Sequence, residues 1–352
     1  MQLVHHKMQL AQIFMQAVFG FAIVTISRKN GGIKTMKKNK IVKAAAITAG
    51  TVALLASIGS IAMGGFVADQ ILHQNADKDT HDNSLKQMEV WGYDTDAFRA
   101  EYKGIEISTI SEDGNEVPGT YFDIGSDKCV ILVHGAGGDR ICVEPLAEGY
   151  LQRGYDVIAI DQRGCGVNPD NRVTFGIKES LDVKAMVQYA REELDHAKVL
   201  AHGQSMGAQT VAVYASNVQP NTPEAADAVI CDSPVPGMEL ILKEMFGDGN
   251  TESFMANYLT GTSKVFMDIV YKIDYDDADT INIVANDRIP TLIICSDKDQ
   301  VCLPEQVEMV YENVACEKKA IVHFDSAHIE GLIDDPAGYM DSVEGFLEPL
   351  GL

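Results

Sequence analysis

The 352 residues carry 28 Lys and Arg against 51 Asp and Glu, a net charge of −23, with 46% apolar residues. That balance excludes a disordered chain and a polytopic membrane protein, and the length allows one domain of about 250 residues plus appendages. Residues 1–68 hold eight of the basic residues and no acid, so the remainder is strongly acidic. Nucleic acid and anionic lipid are excluded as ligands of that body, because phosphate binding needs clustered Lys and Arg.

Residues 1–43 form a basic amino-terminal segment. Met36 followed by "KKNK" reads as a natural start, which would make residues 1–35 a translation artefact. Alternatively Met8–Ser27 is a second span or a surface-lying helix, although its three Gln count against a span. Ala44 to Ala68 is a run of 25 uncharged residues, long enough to cross a bilayer. "KKNKIVK" (Lys37–Lys43) precedes it and acids follow at once, so the body is expected outside the cytoplasm. The run is read as a single-pass signal anchor in the cell membrane. The alternatives are a signal peptide, cleaved to release a secreted body, and a buried helix of that body. Seven cysteines without a CxxC pair give neither a disulfide framework nor a zinc signature.

Residues 69–100 are polar and read as a linker with a helical portion. From about Glu101 short apolar runs alternate with amphipathic stretches. The runs are residues 129–134, 156–161, 198–203, 228–233, 291–296 and 320–325, each nearly continuously apolar, as strands buried on both faces of a parallel sheet should be. Residues 105–110 and 118–125 add two antiparallel strands. The whole predicts a doubly wound α/β sheet over residues 101–352. Pro234–Pro290 is too long for an ordinary connection, and its apolar helical patterns predict a small lid.

Ligands of such a sheet bind at the carboxyl ends of its strands. There "GQSMG" places Ser205 between a strand and a helix, with Gly203 and Gly207 allowing a sharp turn that projects the hydroxyl. A serine nucleophile needs a base, and the base an orienting carboxylate. His328 follows the last strand, and Asp297 and Asp299 follow the one before it, giving the order Ser, Asp, His. His323 lies within a strand and reads as structural. Backbone N–H groups of Met206 and of Ala136, in "HGAGGD", are the expected oxyanion donors.

The blocks "VILVHGAGGD", "DVIAIDQRGCG", "GQSMGA", "PTLIICSDKDQVC" and "DSAHIEGLIDDPAGYMDSVEGFL" resemble those of α/β-hydrolase-fold serine hydrolases over about residues 100–350. The nearest likeness is to bacterial membrane-anchored or secreted esterases and prolyl-oligopeptidase-like hydrolases. The resemblance implies Ser205 as nucleophile, His328 as base and Asp299 as acid, with Asp297 the other candidate because Ser296 replaces the usual Gly. Asp161, Arg163, Gly164, Glu179 and Asp182 match structural turns of that family.

The expected activity is hydrolysis of a carboxylic ester, a small-molecule acyl substrate, in keeping with the apolar lid. A peptidase or amidase and an acyltransferase are the alternatives. A non-catalytic membrane-tethered module is the remote one, and Ser205 excludes a dehalogenase. No cofactor and no metal are implied, and the membrane is a partner through the amino-terminal helix.

Overall fold

The computed structural model describes residues 38–352. The expectations for residues 1–37, a start at Met36 and a span at Met8–Ser27, lie outside them. Strands β1 (Gly104–Ile110), β2 (Glu116–Phe122), β3 (Lys128–Val133), β4 (Asp156–Ile160), β5 (Lys198–Gln204), β6 (Ala228–Asp232), β7 (Thr291–Ser296) and β8 (Lys319–Phe324) make one sheet. Their spatial order is β1-β2-β4-β3-β5-β6-β7-β8. β2 runs antiparallel to β1 and β4, and the other neighbours pair in parallel. Each of the six expected apolar runs is a strand, with ends shifted by one residue at most, and the expected strand at 118–125 lies at Glu116–Phe122.

The central strands are apolar throughout because both faces are covered. Cys129, Ile131 and Val133 of β3 point into one core with Val199 and Ala201 of β5, whereas Val130 and Leu132 point into the other. Helices α5 (Glu179–Glu192), α6 (Met206–Asn217) and α10 (Pro304–Asn313) cover the first face. On the second face lie α3 (Thr95–Glu101), α4 (Glu144–Leu151), α11 (Gly331–Asp334) and α12 (Pro336–Leu347). Each buried Val, Leu or Ile contributes about 1.5–3 kcal/mol. Shortening a fully buried one such as Ile131 to Ala would cost about 2–5 kcal/mol.

Between β6 and β7 the chain forms α7 (Met238–Gly247), α8 (Phe254–Phe266), a π-helical turn at Met267–Tyr271, a 3-10 turn and α9 (Thr280–Ile283). Leu242, Leu259, Met267 and Tyr275 tie this insertion to the first core. Helix α1 (Lys38–Leu72) lies against α8. Its stretch Ile47–Leu72 is long and apolar enough to cross a membrane. The two halves of that stretch differ. Residues 47–59 are exposed, whereas Met63, Val67, Ala68, Ile71 and Leu72 join the core.

Residues 69–100, expected as a linker with a helical portion, are largely helical and packed on the body. Asp79 caps α2 (Thr80–Trp91) by accepting from the Asp82 N–H, which satisfies an orphan donor of the first turn. Gly92 ends α2 in the left-handed conformation. All seven cysteines are free, and those in the apolar runs, Cys129, Cys231 and Cys295, are buried, where burial pushes their thiols up.

Candidate active site

β3 and β5 are neighbours in register, Val133 opposite Gly203, so their carboxyl-end loops meet at one edge of the sheet. The chain turns from β5 into α6 at Ser205, whose φ of 56° and ψ of −117° cost a non-glycine residue about 1–3 kcal/mol. The neighbouring glycines hold it there. A Cβ on Gly203 would collide with the Gly207 carbonyl, and one on Gly207 with the Val133 carbonyl. The Ser205 N–H donates to the Asp232 carbonyl at 2.9 Å, tying the turn to β6.

The turn aims the Ser205 hydroxyl at His328, in the loop after β8. His328 Nε2 lies 2.8 Å from Ser205 Oγ, and its Nδ1 lies 2.6 Å from Asp299 Oδ2. A carboxylate can only accept, so Nδ1 carries the hydrogen and Nε2 offers its lone pair to the serine O–H. The other Asp299 oxygen accepts the N–H groups of Val301 and Cys302 at 2.7 and 2.9 Å. Asp297, the other candidate, turns to solvent and meets His323 Nδ1 at 2.8 Å. The structure therefore brings Ser205, His328 and Asp299 together and leaves Asp297 outside.

The loop after β3 borders Ser205. A Cβ on Gly135 would stand 3.4 Å from Ser205 Cβ and 3.9 Å from Oγ, so a side chain there would crowd the hydroxyl. Ala136 is the next residue. Gln162 clamps this loop: its N–H donates to His134 Nε2 at 3.1 Å and its side-chain amide to the His134 carbonyl at 2.5 Å. Thr210 of α6 donates to the Gln162 Oε1 at 2.7 Å, linking the clamp to the helix behind Ser205. With Nε2 accepting, His134 donates from Nδ1 to the Gly135 carbonyl at 2.7 Å. Burial holds its imidazole below the usual histidine range.

Sequence reasoning missed this clamp, and also a network beneath Ser205. His202 of β5 contacts Tyr150 at 3.0 Å and Tyr339 at 3.1 Å, and Tyr339 donates to Asp232 Oδ2 at 2.8 Å. Burial pushes the His202 pKa down to about 3 and raises that of Asp232. The residues before β1 also reach the site. Ser84 accepts the Asp139 N–H at 2.7 Å, Asn83 donates to the Gly137 carbonyl at 3.0 Å, and Trp91 donates to Glu330 at 3.3 Å. Arg163 is buried between Asp182 and Asp113, and Glu179 accepts from Thr174 and Gly176, structural contacts as expected.

Among the described residues two groups bring three possible metal ligands within 4.8 Å of one another: Cys295, Asp297 and His323, and Asp299, Cys302 and His328. In the second, the Asp299 carboxylate is already engaged by two backbone N–H groups and the imidazole.

Residues 128–260 match the family model described as the alpha/beta hydrolase fold. Uncharacterised proteins from two strains of Mycobacterium tuberculosis are 29% identical over 110 residues, which is 30% of this chain. The matched stretch spans 38% of the length of those relatives. An esterase from Pyrococcus furiosus superposes with a TM-score of 0.58 at 22% identity, over 73% of this chain and 96% of that one. An esterase from Exiguobacterium antarcticum gives 0.50 at 18%, over 69% and 100%. A puromycin hydrolase gives 0.52 at 18%, over 70% and 40%. With the parallel sheet, the turn at Ser205 and these likenesses together, the chain is an α/β-hydrolase-fold protein.

Proposed function

We propose that the chain is a membrane-anchored serine hydrolase that cleaves a carboxylic ester through an acyl-enzyme. One observation carries this reading: the unbroken hydrogen-bonded series Ser205 Oγ, His328, Asp299, at 2.8 and 2.6 Å. Ser205 Oγ attacks the acyl carbonyl as its proton passes to His328 Nε2. Asp299 stabilises the resulting imidazolium. Met206 begins α6, so its N–H has no acceptor within the helix, and with the Ala136 N–H it receives the oxyanion. The imidazolium then protonates the departing alkoxide oxygen. A water, deprotonated by His328, attacks the acyl carbon and releases the acid, returning the proton to Ser205.

The apolar insertion between β6 and β7 and the esterases among the structural relatives support an ester over an amide. The anchor is α1, with the body on the extracytoplasmic side. The test is labelling by a fluorophosphonate probe, with Ser205→Ala as control, followed by a panel of acyl esters beside aminoacyl amides. Labelling lost in the variant and turnover of esters support the reading. Unchanged labelling removes Ser205 from the role, and turnover of amides alone replaces the ester by a peptide bond.

A further inference from the structure

The part of α1 that stands clear of the body is too short to cross a bilayer. The exposed residues 47–59 and the three uncharged ones after Lys43 that precede them are 16 residues, about 24 Å of helix. A hydrocarbon core of about 30 Å needs about 20 residues. The missing turn is Ser60 to about Met63, and it is already packed against the insertion. Ser60 Oγ lies 2.8 Å from the Tyr258 hydroxyl, Gly64 sits on the Thr262 backbone, and Gly65 sits against the Phe266 ring. The contacts advance together along both chains, so α1 and α8 run in the same direction. Small residues four apart (Ser60, Gly64, Ala68) let the two backbones approach, the manner in which helices pack within membranes.

We propose that the lipid bilayer is a partner of α8 itself: its amino-terminal end meets the membrane surface beside the anchor. The outward side of α8 fits that partner. Phe254 is 76% exposed and stacks on Tyr258, with ring centres 5.9 Å apart. Gly261 and Val265 continue the same side at helical spacing, and Val265 is exposed. The one charge in α8, Lys264, turns inward to Glu239 at 2.9 Å and to Asp276. The register of the contacts between α1 and α8 sets Phe254 level with Ala56, about 10 Å inside the outer end of a span closing near Met63, while Asp248 and Glu252 lie in the preceding turn, outside that side of α8. Phe254 is then an interfacial anchor of the kind that buries an apolar side at the headgroup boundary, and the insertion beside the Ser205 site rests on the membrane.

This inference rests on α1 being a membrane anchor, and its test separates the two. Trp91 is the single tryptophan, so a Trp91→Phe chain can carry one reporter at a time. Full-length protein is reconstituted in phosphatidylcholine vesicles with or without brominated acyl chains. Three reporters are compared: Phe254→Trp on α8, Ile58→Trp on the exposed part of α1, and Met309→Trp on α10. Brominated lipid is expected to quench Ile58→Trp and Phe254→Trp to a similar extent, since the two stand at nearly one depth, and to leave Met309→Trp unchanged. An unquenched Phe254→Trp beside a quenched Ile58→Trp overturns the proposal and leaves the anchor standing; a second copy of the chain seated on α8 would give that result. If neither is quenched, the anchor falls and the proposal with it. Equal quenching of Met309→Trp and Phe254→Trp also overturns it, because α8 would then hold no special place. Fluorophosphonate labelling of Ser205 in the same samples reports the hydrolase reading independently.

Discussion

His328 faces a carboxylate that cannot swing away, because Asp299 is held at its other oxygen by the Val301 and Cys302 N–H groups. Asp297 makes a similar contact with His323, but both side chains are solvated and far less constrained. Asp299→Asn would place an amide against Nδ1 and favour the wrong tautomer, lowering kcat by about 10⁴-fold. Asp297→Asn is expected to stay within about threefold, since an exposed pair contributes little. Steady-state hydrolysis of a chromogenic ester checks both variants. A larger loss from Asp297→Asn would reverse their roles.

Gln162 holds the loop of Gly135 and Ala136 from behind without touching Ser205. Gln162→Ala removes the bond to the His134 carbonyl and leaves the Thr210 hydroxyl on the Met206 carbonyl at 3.0 Å, while the backbone bond to His134 Nε2 persists. A displaced oxyanion donor costs kcat more than KM, by about 10²-fold. Thermal unfolding should register about 1–3 kcal/mol for the His134 carbonyl left unpaired. Kinetics of the variant on a short-chain ester test this. A rise in KM at constant kcat would mean that the loop serves binding instead.

Most of the sheet was legible because buried parallel strands announce themselves as continuous apolar runs; Thr291–Ser296 matches its run residue for residue. Ser205 and His328 were legible because a strand-to-helix glycine turn and a loop after the last strand are local features. Asp299 was harder. Asp297 and Asp299 follow the same strand, and only the three-dimensional turn decides which one faces inward. The Gln162–His134 clamp, the His202–Tyr339 contact and the Ser60–Tyr258 contact left no trace, since each joins residues whose separation carries no periodicity. The packing of residues 69–100 was hidden for a related reason. They dock through scattered apolar side chains such as Leu72, Met88 and Phe98 and through polar ones such as Asn83 and Ser84, and neither set forms an apolar stripe.

His202 makes acid stability measurable. Burial pushes its pKa down to about 3, whereas the unfolded chain takes up that proton near pH ~6.5. The unfolded state therefore binds more protons between those values, and stability is lost as pH falls through this window, at up to about 1.4 kcal/mol per unit. Glu144 acts in the opposite sense. Burial raises its pKa to about 7, so its contribution weakens as pH rises through that value. Comparing the chain with His202→Gln isolates the histidine, because Glu144 is common to both. Denaturant unfolding at pH 6.5 and pH 5 should show the advantage of the parent over the variant shrinking by about 2 kcal/mol. A constant difference would mean that His202 is already protonated in the fold.

The amino-terminal helix divides into a dispensable part and a structural part. Residues 47–59 are exposed, but Met63, Val67, Ala68, Ile71 and Leu72 are buried in the main core, and the Leu72 carbonyl accepts the Val173 N–H at 2.7 Å. Residues 47–59 contribute no buried side chain, so a chain shortened to begin at Ser60 is expected to fold, label at Ser205 and show unchanged thermal unfolding. Removing residues 1–72 takes away Ala68 and four large buried side chains, the four contributing roughly 1.5–3 kcal/mol each, a total comparable with the stability of a whole domain. That chain is expected to aggregate or to unfold at a much lower temperature. Cleavage of α1 near Ala68 as a signal peptide would inflict the same damage, so the anchor is expected to stay attached. Calorimetry of the two truncated chains decides it: equal stability would show that the core does without the helix, and would reopen release of the body by cleavage.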